Sequence, residues 1–244
     1  MPVFAQTSMD ITVDTLGLQG FANEANLEVS ADELEATTFA SGGWRIKTAG
    51  LAQGMFSVSG FQDYVATGVD PSFPLSGLGG VDVWTVGPFT GTQVAGDPAF
   101  MGQGPLTSYN PLAGAVGDLA KFAFGFAGTG QTVRGRYLHP SAARVSTAFG
   151  SVITLTPPTA AQSLYATFHV LSVTGSGSIV FTVQTDDAVG MGTPTTRISS
   201  TSFTGVGRQF TSLAGSLSGE THMRTGWTIS GFTSVTFVVA AGVL

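Results

Sequence analysis

The chain has 244 residues, 43% apolar and 10% aromatic, with 15 acids against 9 bases and a net charge of −6. That apolar content supports a folded core and excludes the charge-rich disordered class. The 34 glycines follow no three-residue period, which excludes collagen, and the lack of cysteine excludes a disulfide framework, a thiol nucleophile and a Cys-based zinc site.

The length suits one large or two ordinary domains. The longest wholly apolar stretch, residues 238–244, is far short of the roughly 20 residues needed to span a bilayer. The N-terminal Met-Pro-Val-Phe-Ala-Gln shows neither the basic start nor the apolar block of a secretory signal. Charged residues are only 10% of the chain, against a usual share of about 25%. Such a chain leaves wide, weakly polar surfaces, so their burial against other copies is expected. Nine of the acids lie at or before Asp70, where Arg45 and Lys47 are the only bases. An acidic chain of this kind is a poor binder of phosphates.

In chain order the strand signals are short period-two runs. Residues 25–30 put Leu27 and Val29 on one face and Asn26, Glu28 and Ser30 on the other. Residues 55–59 alternate Phe56 and Val58 with Ser57 and Ser59. The segment 70–110 is rich in Gly and Pro and reads as loops with an inserted strand at 81–86 and a helical turn near Ala99. Residues 121–126 align Phe122, Phe124 and Phe126 opposite Ala123 and Gly125. Further strands are expected at 133–138, 151–155, 164–173, 179–184, 197–203, 225–230 and 235–240. No dozen-residue window carries a helical apolar stripe with caps. The pattern predicts an all-β, antiparallel sandwich or barrel fold with little helix. A boundary near His139-Pro140 divides it into domains 1–138 and 139–244.

Motifs that carry chemistry are missing. No Gly-x-Ser-x-Gly elbow, Walker loop or Gly-x-Gly-x-x-Gly occurs, and His139, His169 and His222 are widely separated. A triad of His169, Asp186 and one of many serines has little weight in so serine-rich a chain; a satisfied structural histidine is the plainer reading. Asp186-Asp187 followed by Gly190 lacks the alternation and closing Glu of a calcium loop and reads as an acidic turn. No catalytic, cofactor-binding or metal-ligating residue is assigned.

The connection between strands 25–30 and 55–59 is more informative. It spans more than twenty residues, and long loops in compact domains tend to be functional. Residues 31–48 carry Asp32, Glu33 and Glu35 against Arg45 and Lys47, together with Phe39 and Trp44. Such a composition suits docking onto another subunit.

These residues also carry a family resemblance. Leu27-Glu28-Val29-Ser30, the acidic segment, Thr37-Thr38-Phe39, Ser41-Gly42-Gly43-Trp44, Ala49-Gly50-Leu51 and Phe56-Ser57-Val58-Ser59-Gly60-Phe61 resemble the central hairpin of major tail tube proteins of long-tailed, siphovirus-like bacteriophages. Gly114-Ala115-Val116-Gly117-Asp118, Val133-Arg134-Gly135, Leu164-Tyr165-Ala166 and His169-Val170-Leu171-Ser172-Val173 are similar to later strands of that family. Pro194-Thr195-Thr196-Arg197-Ile198, Arg224-Thr225-Gly226-Trp227 and Ile229-Ser230-Gly231 resemble the second half of its larger actinobacterial-phage members. The resemblance is weakest at 65–105, and the Ser- and Gly-rich stretch 197–219 departs from it most.

The resemblance implies a virion tail component, made in the host cytoplasm, that is not an enzyme and needs no cofactor or membrane. Its partners would be copies of itself in stacked hexameric rings, other tail proteins at the tube ends, and DNA passing without specific binding. Glu24, Glu28, Ser57 and Ser59 would face the lumen, and the loop 31–48 (Asp32, Glu33, Glu35, Phe39, Trp44, Arg45 and Lys47) would stack on the next ring. Carboxylates along a DNA path keep it slippery, because they repel phosphates that lysines would hold. The alternatives are a virion surface binding module, either a capsid decoration protein or a carbohydrate-binding β-sandwich, and a secreted β-sandwich hydrolase, which the missing signal and site motifs disfavour.

Overall fold

The computed structural model describes residues 8–38, 41–42, 44–65, 68–73, 75–115, 117–215 and 217–244. The chain enters through β1 (Ser8–Val13) and β2 (Leu16–Gly17), then the long strands β3 (Ala22–Glu35) and β4 (Lys47–Phe61). A one-turn helix α1 (Val69–Ser72) precedes β5 (Val81–Phe89), β6 (Pro98–Ala113), β7 (Lys121–Ala127) and β8 (Val133–Arg144). The short β9 (Ala148–Phe149) and β10 (Ile153–Thr154) lead to β11 (Ser163–Asp186), β12 (Thr195–Ser199), β13 (Gly207–Ala214) and β14 (His222–Val243). The all-β, antiparallel reading therefore holds. Among the described residues no helix is long and apolar enough to cross a membrane.

The strands form two compact units, each assembled from separated stretches of chain. Unit 1 holds residues up to Phe21, Asp82–Gln103 and Val133–Leu244; unit 2 holds Ala22–Val81 and Gly104–Thr132. The division expected at 138–139 falls inside β8, and β6 contributes its first part to unit 1 and the remainder to unit 2.

Unit 1 is organised by β11 and β14, which pair antiparallel from Leu164↔Val243 to Asp186↔His222. The sequence reading divided each of them into two short strands. They are continuous but bent, with register shifts around Ser172, Gly175 and Ser178. Glycine is required at this corner. A Cβ on Gly177 would lie 2.1 Å from the Ser230 carbonyl oxygen, and Gly175 and Gly231 hold φ of 89° and 82°. The bend folds the strand pair over itself, so that Phe168 stacks on Phe181 at 5.4 Å between ring centroids and Phe237 meets Phe181 edge-on at 4.9 Å. Ile179, Val183, Trp227, Val235 and Val239 complete this core. Beyond β14 the sheet continues through β8, β6 and β5 to β1 and β2, and β12 and β13 both pair with β11.

Unit 2 is a four-stranded sheet in the order β3-β4-β7-β6. Period-two alternation decides its two faces. Phe122, Phe124 and Phe126 of β7 are buried beside Phe56 and Val58 of β4, with Phe122 stacked on Phe124 at 5.0 Å and Phe73 against Phe124 at 4.8 Å. Ala99, expected on a helical turn, lies in β6 because Met101 and Tyr137 draw its strand into the buried face of unit 1; the helical turn sits at α1 instead.

Candidate assembly surface

Opposite the phenylalanine face, the sheet of unit 2 carries small and acidic side chains. The register Glu24↔Ser59, Asn26↔Ser57 and Glu28↔Met55 joins β3 to β4; Ser57↔Gly125 and Ser59↔Ala123 join β4 to β7; Ser108↔Gly125 and Asn110↔Ala123 carry the face on to β6. Glu24, Glu28 and Ser57 are exposed and Ser59 is half-buried, its hydroxyl donating to Glu24 Oε2 at 3.2 Å. A shallow groove of about 380 Å³ runs over Glu24, Ser57, Ser59, Ser108, Asn110 and Gly125. The four residues singled out as lumen-facing thus share one polar face. Lys121, opposite Phe61 at the far end of β7, is the one cation on the described strands of that face. Beneath the sheet Gln62 Nε2 donates to the Tyr109 hydroxyl at 2.8 Å, which donates to Asp70 Oδ1 at 3.0 Å, and burial pushes the Tyr109 phenol up to about 12.

The connection between these strands differs from the expected loop. Residues 31–35 and 47–48 are strand, paired through Ala31↔Ala52, Glu33↔Ala49 and Glu35↔Lys47, with a bulge beyond Ala31. The strand ends are joined beyond Glu35 and before Lys47, where Ala36 N–H donates to Ile46 O at 2.8 Å and Ile46 N–H to Thr37 Oγ1 at 3.0 Å. The reason is register. Lys47 can face Glu33, at 2.5 Å, only if the strands continue past residue 31. The acidic run, expected within the long connection, is strand held by cross-strand pairing.

β7 covers β4 only from Met55 to Phe61, so the distal part of the hairpin is a two-stranded ribbon. Isolated two-stranded ribbons are marginal in water. This one exposes Leu51 (82%), Trp44 (81%), Val29 (62%) and Leu34 (52%). Val29 was expected in the sandwich core. It is exposed because no strand of its own unit covers the ribbon at that level. Asp32, Glu33, Glu35, Arg45 and Lys47 are exposed along the ribbon and its turn, and Phe39 lies outside the described residues. On the other side β3 pairs only with β4 among the described residues and presents an open edge.

Elsewhere the groups weighed for chemistry are structural. His169 is fully buried; its Nδ1–H donates to the Asp14 carbonyl oxygen at 2.7 Å and its Nε2 accepts from Thr85 Oγ1 at 2.9 Å, leaving no role for a triad with Asp186. Burial pushes it down to about 4. Asp186 accepts the Ala188 and Thr193 amides at 3.1 and 3.0 Å, which makes 186–193 a closed acidic turn. Among the described residues no cluster of three His, Asp or Glu could hold a metal ion.

No family model and no curated protein matches the chain. Among solved structures it is similar to the SPP1 Dit (gp 19.1) protein, described as a paradigm of the hub adsorption apparatus in phages infecting Gram-positive bacteria, at a TM-score of 0.32 and 10% identity over 97% of this chain and 99% of that one. It is also similar to a chain of the phage p2 baseplate in its activated conformation, at a TM-score of 0.29 and 9% identity over 95% and 97%. Likenesses this low carry no functional weight, so the functional reading rests on the chain's own surfaces.

Proposed function

We propose that the chain is a structural subunit of a phage tail, the major tail tube protein, which closes into hexameric rings and stacks them around a lumen that conducts DNA. The carrying observation is the sheet of unit 2, apolar and buried on one face, acidic and small on the other. In this reading Glu24, Glu28, Ser57 and Ser59 face the lumen, where carboxylates repel the phosphate backbone and short side chains leave it room. The open edge of β3 and the exposed ribbon become contacts between copies. A chain with so few charges needs such coverage.

Negative-stain microscopy of the purified protein at rising concentration tests this. Six-fold rings stacked into tubes are the expected result. Single rings that never stack would leave a ring-forming tail component without the tube role. Discrete monomers or trimers at every concentration would overturn the reading in favour of a surface binding module.

A further inference from the structure

Unit 1 carries a groove of about 370 Å³ whose chemistry complements the ribbon. Arg134 and Arg136 are both exposed and project from the same face of β8, either side of Gly135. Thr154, Thr156 and Gln162 add polar groups, and the buried Met223 lies in the floor. No carboxylate lines the groove. Arg136 Nη1 donates to the Gly96 carbonyl oxygen at 2.6 Å, which anchors its guanidinium without neutralising it. The Arg134 guanidinium has no ion pair or hydrogen bond among the described residues.

The other arginines of this unit are engaged. Arg197 pairs with Glu220, and Arg208 with Asp14 at 2.9 Å and Asp82 at 3.6 Å. Arg144 donates to His139 at 2.8 Å and lies 5.6 Å from the centre of the Trp227 ring; Arg224 lies 4.1 Å from that of Phe149. In a chain with nine cations, two arginines side by side without a counter-ion are an unbalanced site.

The ribbon holds matching charges. Glu33 and Glu35 alternate onto one face of β3, as Arg134 and Arg136 do on β8. Strand geometry spaces both pairs by about 7 Å. Glu35 has no ion pair among the described residues, and Glu33 faces only the exposed Lys47. Arginine and carboxylate meet through parallel hydrogen bonds that fix orientation as well as charge.

We propose that the ribbon of one copy docks in this groove of a second copy, with Glu33 and Glu35 seated on Arg134 and Arg136. The proposal deepens the reading of the ribbon as an assembly element by naming its acceptor, and it can be tested without tubes. Because the chain has no cysteine, single introduced thiols are unique reporters. Ala36→Cys protein mixed with Thr156→Cys protein should yield a disulfide-linked heterodimer under mild oxidation. Arg134→Glu with Arg136→Glu in the groove partner should cut that product about tenfold or more, from the loss of two exposed pairs. Glu33→Arg with Glu35→Arg in the ribbon partner should then restore it, which misfolding could not do. No heterodimer, or equal yield with reversed arginines, overturns the proposal. Tubes that persist with reversed arginines overturn it while leaving the ring reading intact. Cross-linking without tubes supports the contact and removes the tube.

Discussion

Two buried histidines should make unit 1 sensitive to acid, and two buried aspartates, Asp82 and Asp10, should oppose them. Burial pushes both His139 and His169 down to about 4 from an ordinary 6.5. Both sit in networks made for the neutral ring. Arg144 Nε–H donates to His139 Nε2, whose Nδ1–H faces the Phe237 carbonyl at 3.3 Å; His169 is held between Thr85 and Asp14. Below pH 6.5 the unfolded chain takes up protons that the folded chain refuses, so stability falls as the pH drops toward 4. At pH 5 the loss relative to pH 7.5 is about 2 kcal/mol for each ring, about 4 kcal/mol together.

Asp82 acts in the other direction. Burial, with the Asp14 carboxylate beside it, pushes Asp82 up to about 7, against the pull of Arg208. The folded state therefore keeps a proton that the unfolded chain has already lost, and this contribution grows as pH falls through 7 toward 4. Wild-type protein should lose less than the histidines alone dictate. Asp82→Asn should steepen the fall in the urea midpoint between pH 7.5 and 5 toward the histidine limit of about 1.3–2 M for a slope of about 2–3 kcal/mol/M, with buried Asp10, also pushed up by burial, still offsetting part of it. Tryptophan emission reads the event in unit 1, because Trp84 and Trp227 are buried there while Trp44 of unit 2 is exposed. Equal midpoints at the two pH values in Asp82→Asn would refute the argument about the histidines. Identical pH slopes in wild type and Asp82→Asn would refute the one about Asp82.

Three other outcomes are expected. Phe124→Ala removes a ring that meets Phe73, Phe122, Phe126 and Tyr109, and should destabilise unit 2 by about 3–5 kcal/mol in a denaturant titration; a cost below about 1 kcal/mol would contradict the packing. Deleting residues 36–46, which joins Glu35 to its cross-strand neighbour Lys47, should leave the circular dichroism of a folded β protein but prevent tube formation, and normal tubes from the deleted protein would remove the stacking role. Glu28→Lys should still assemble yet slow DNA ejection from reconstituted particles by placing a cation on the proposed lumen face; unchanged ejection kinetics would dismiss the electrostatic part.

What the sequence determined by itself was local. Alternation at Phe122, Phe124 and Phe126 and at Phe56 and Val58 specified strands and their buried faces, because a period of two in a half-buried sheet permits no other choice; at 81–86 it gave the strand alone, since residues 82–87 are buried on both faces. The same alternation placed Glu24, Glu28, Ser57 and Ser59 together. Partner choice was beyond it, because pairing is non-local. Nothing around residue 103 announces that β6 leaves one unit for the other, and β13 at Gly207–Ala214 passed unnoticed until β11 supplied its edge. Val29 has the pattern of a core residue, yet only the reach of β7 decides that the sheet stops covering β3 before that level. Arg134 and Arg136 look like ordinary strand charges. Only the tertiary structure surrounds them with Thr154, Gln162 and Met223 and leaves every acid of their own unit elsewhere, because a groove is made by segments that are distant in the chain.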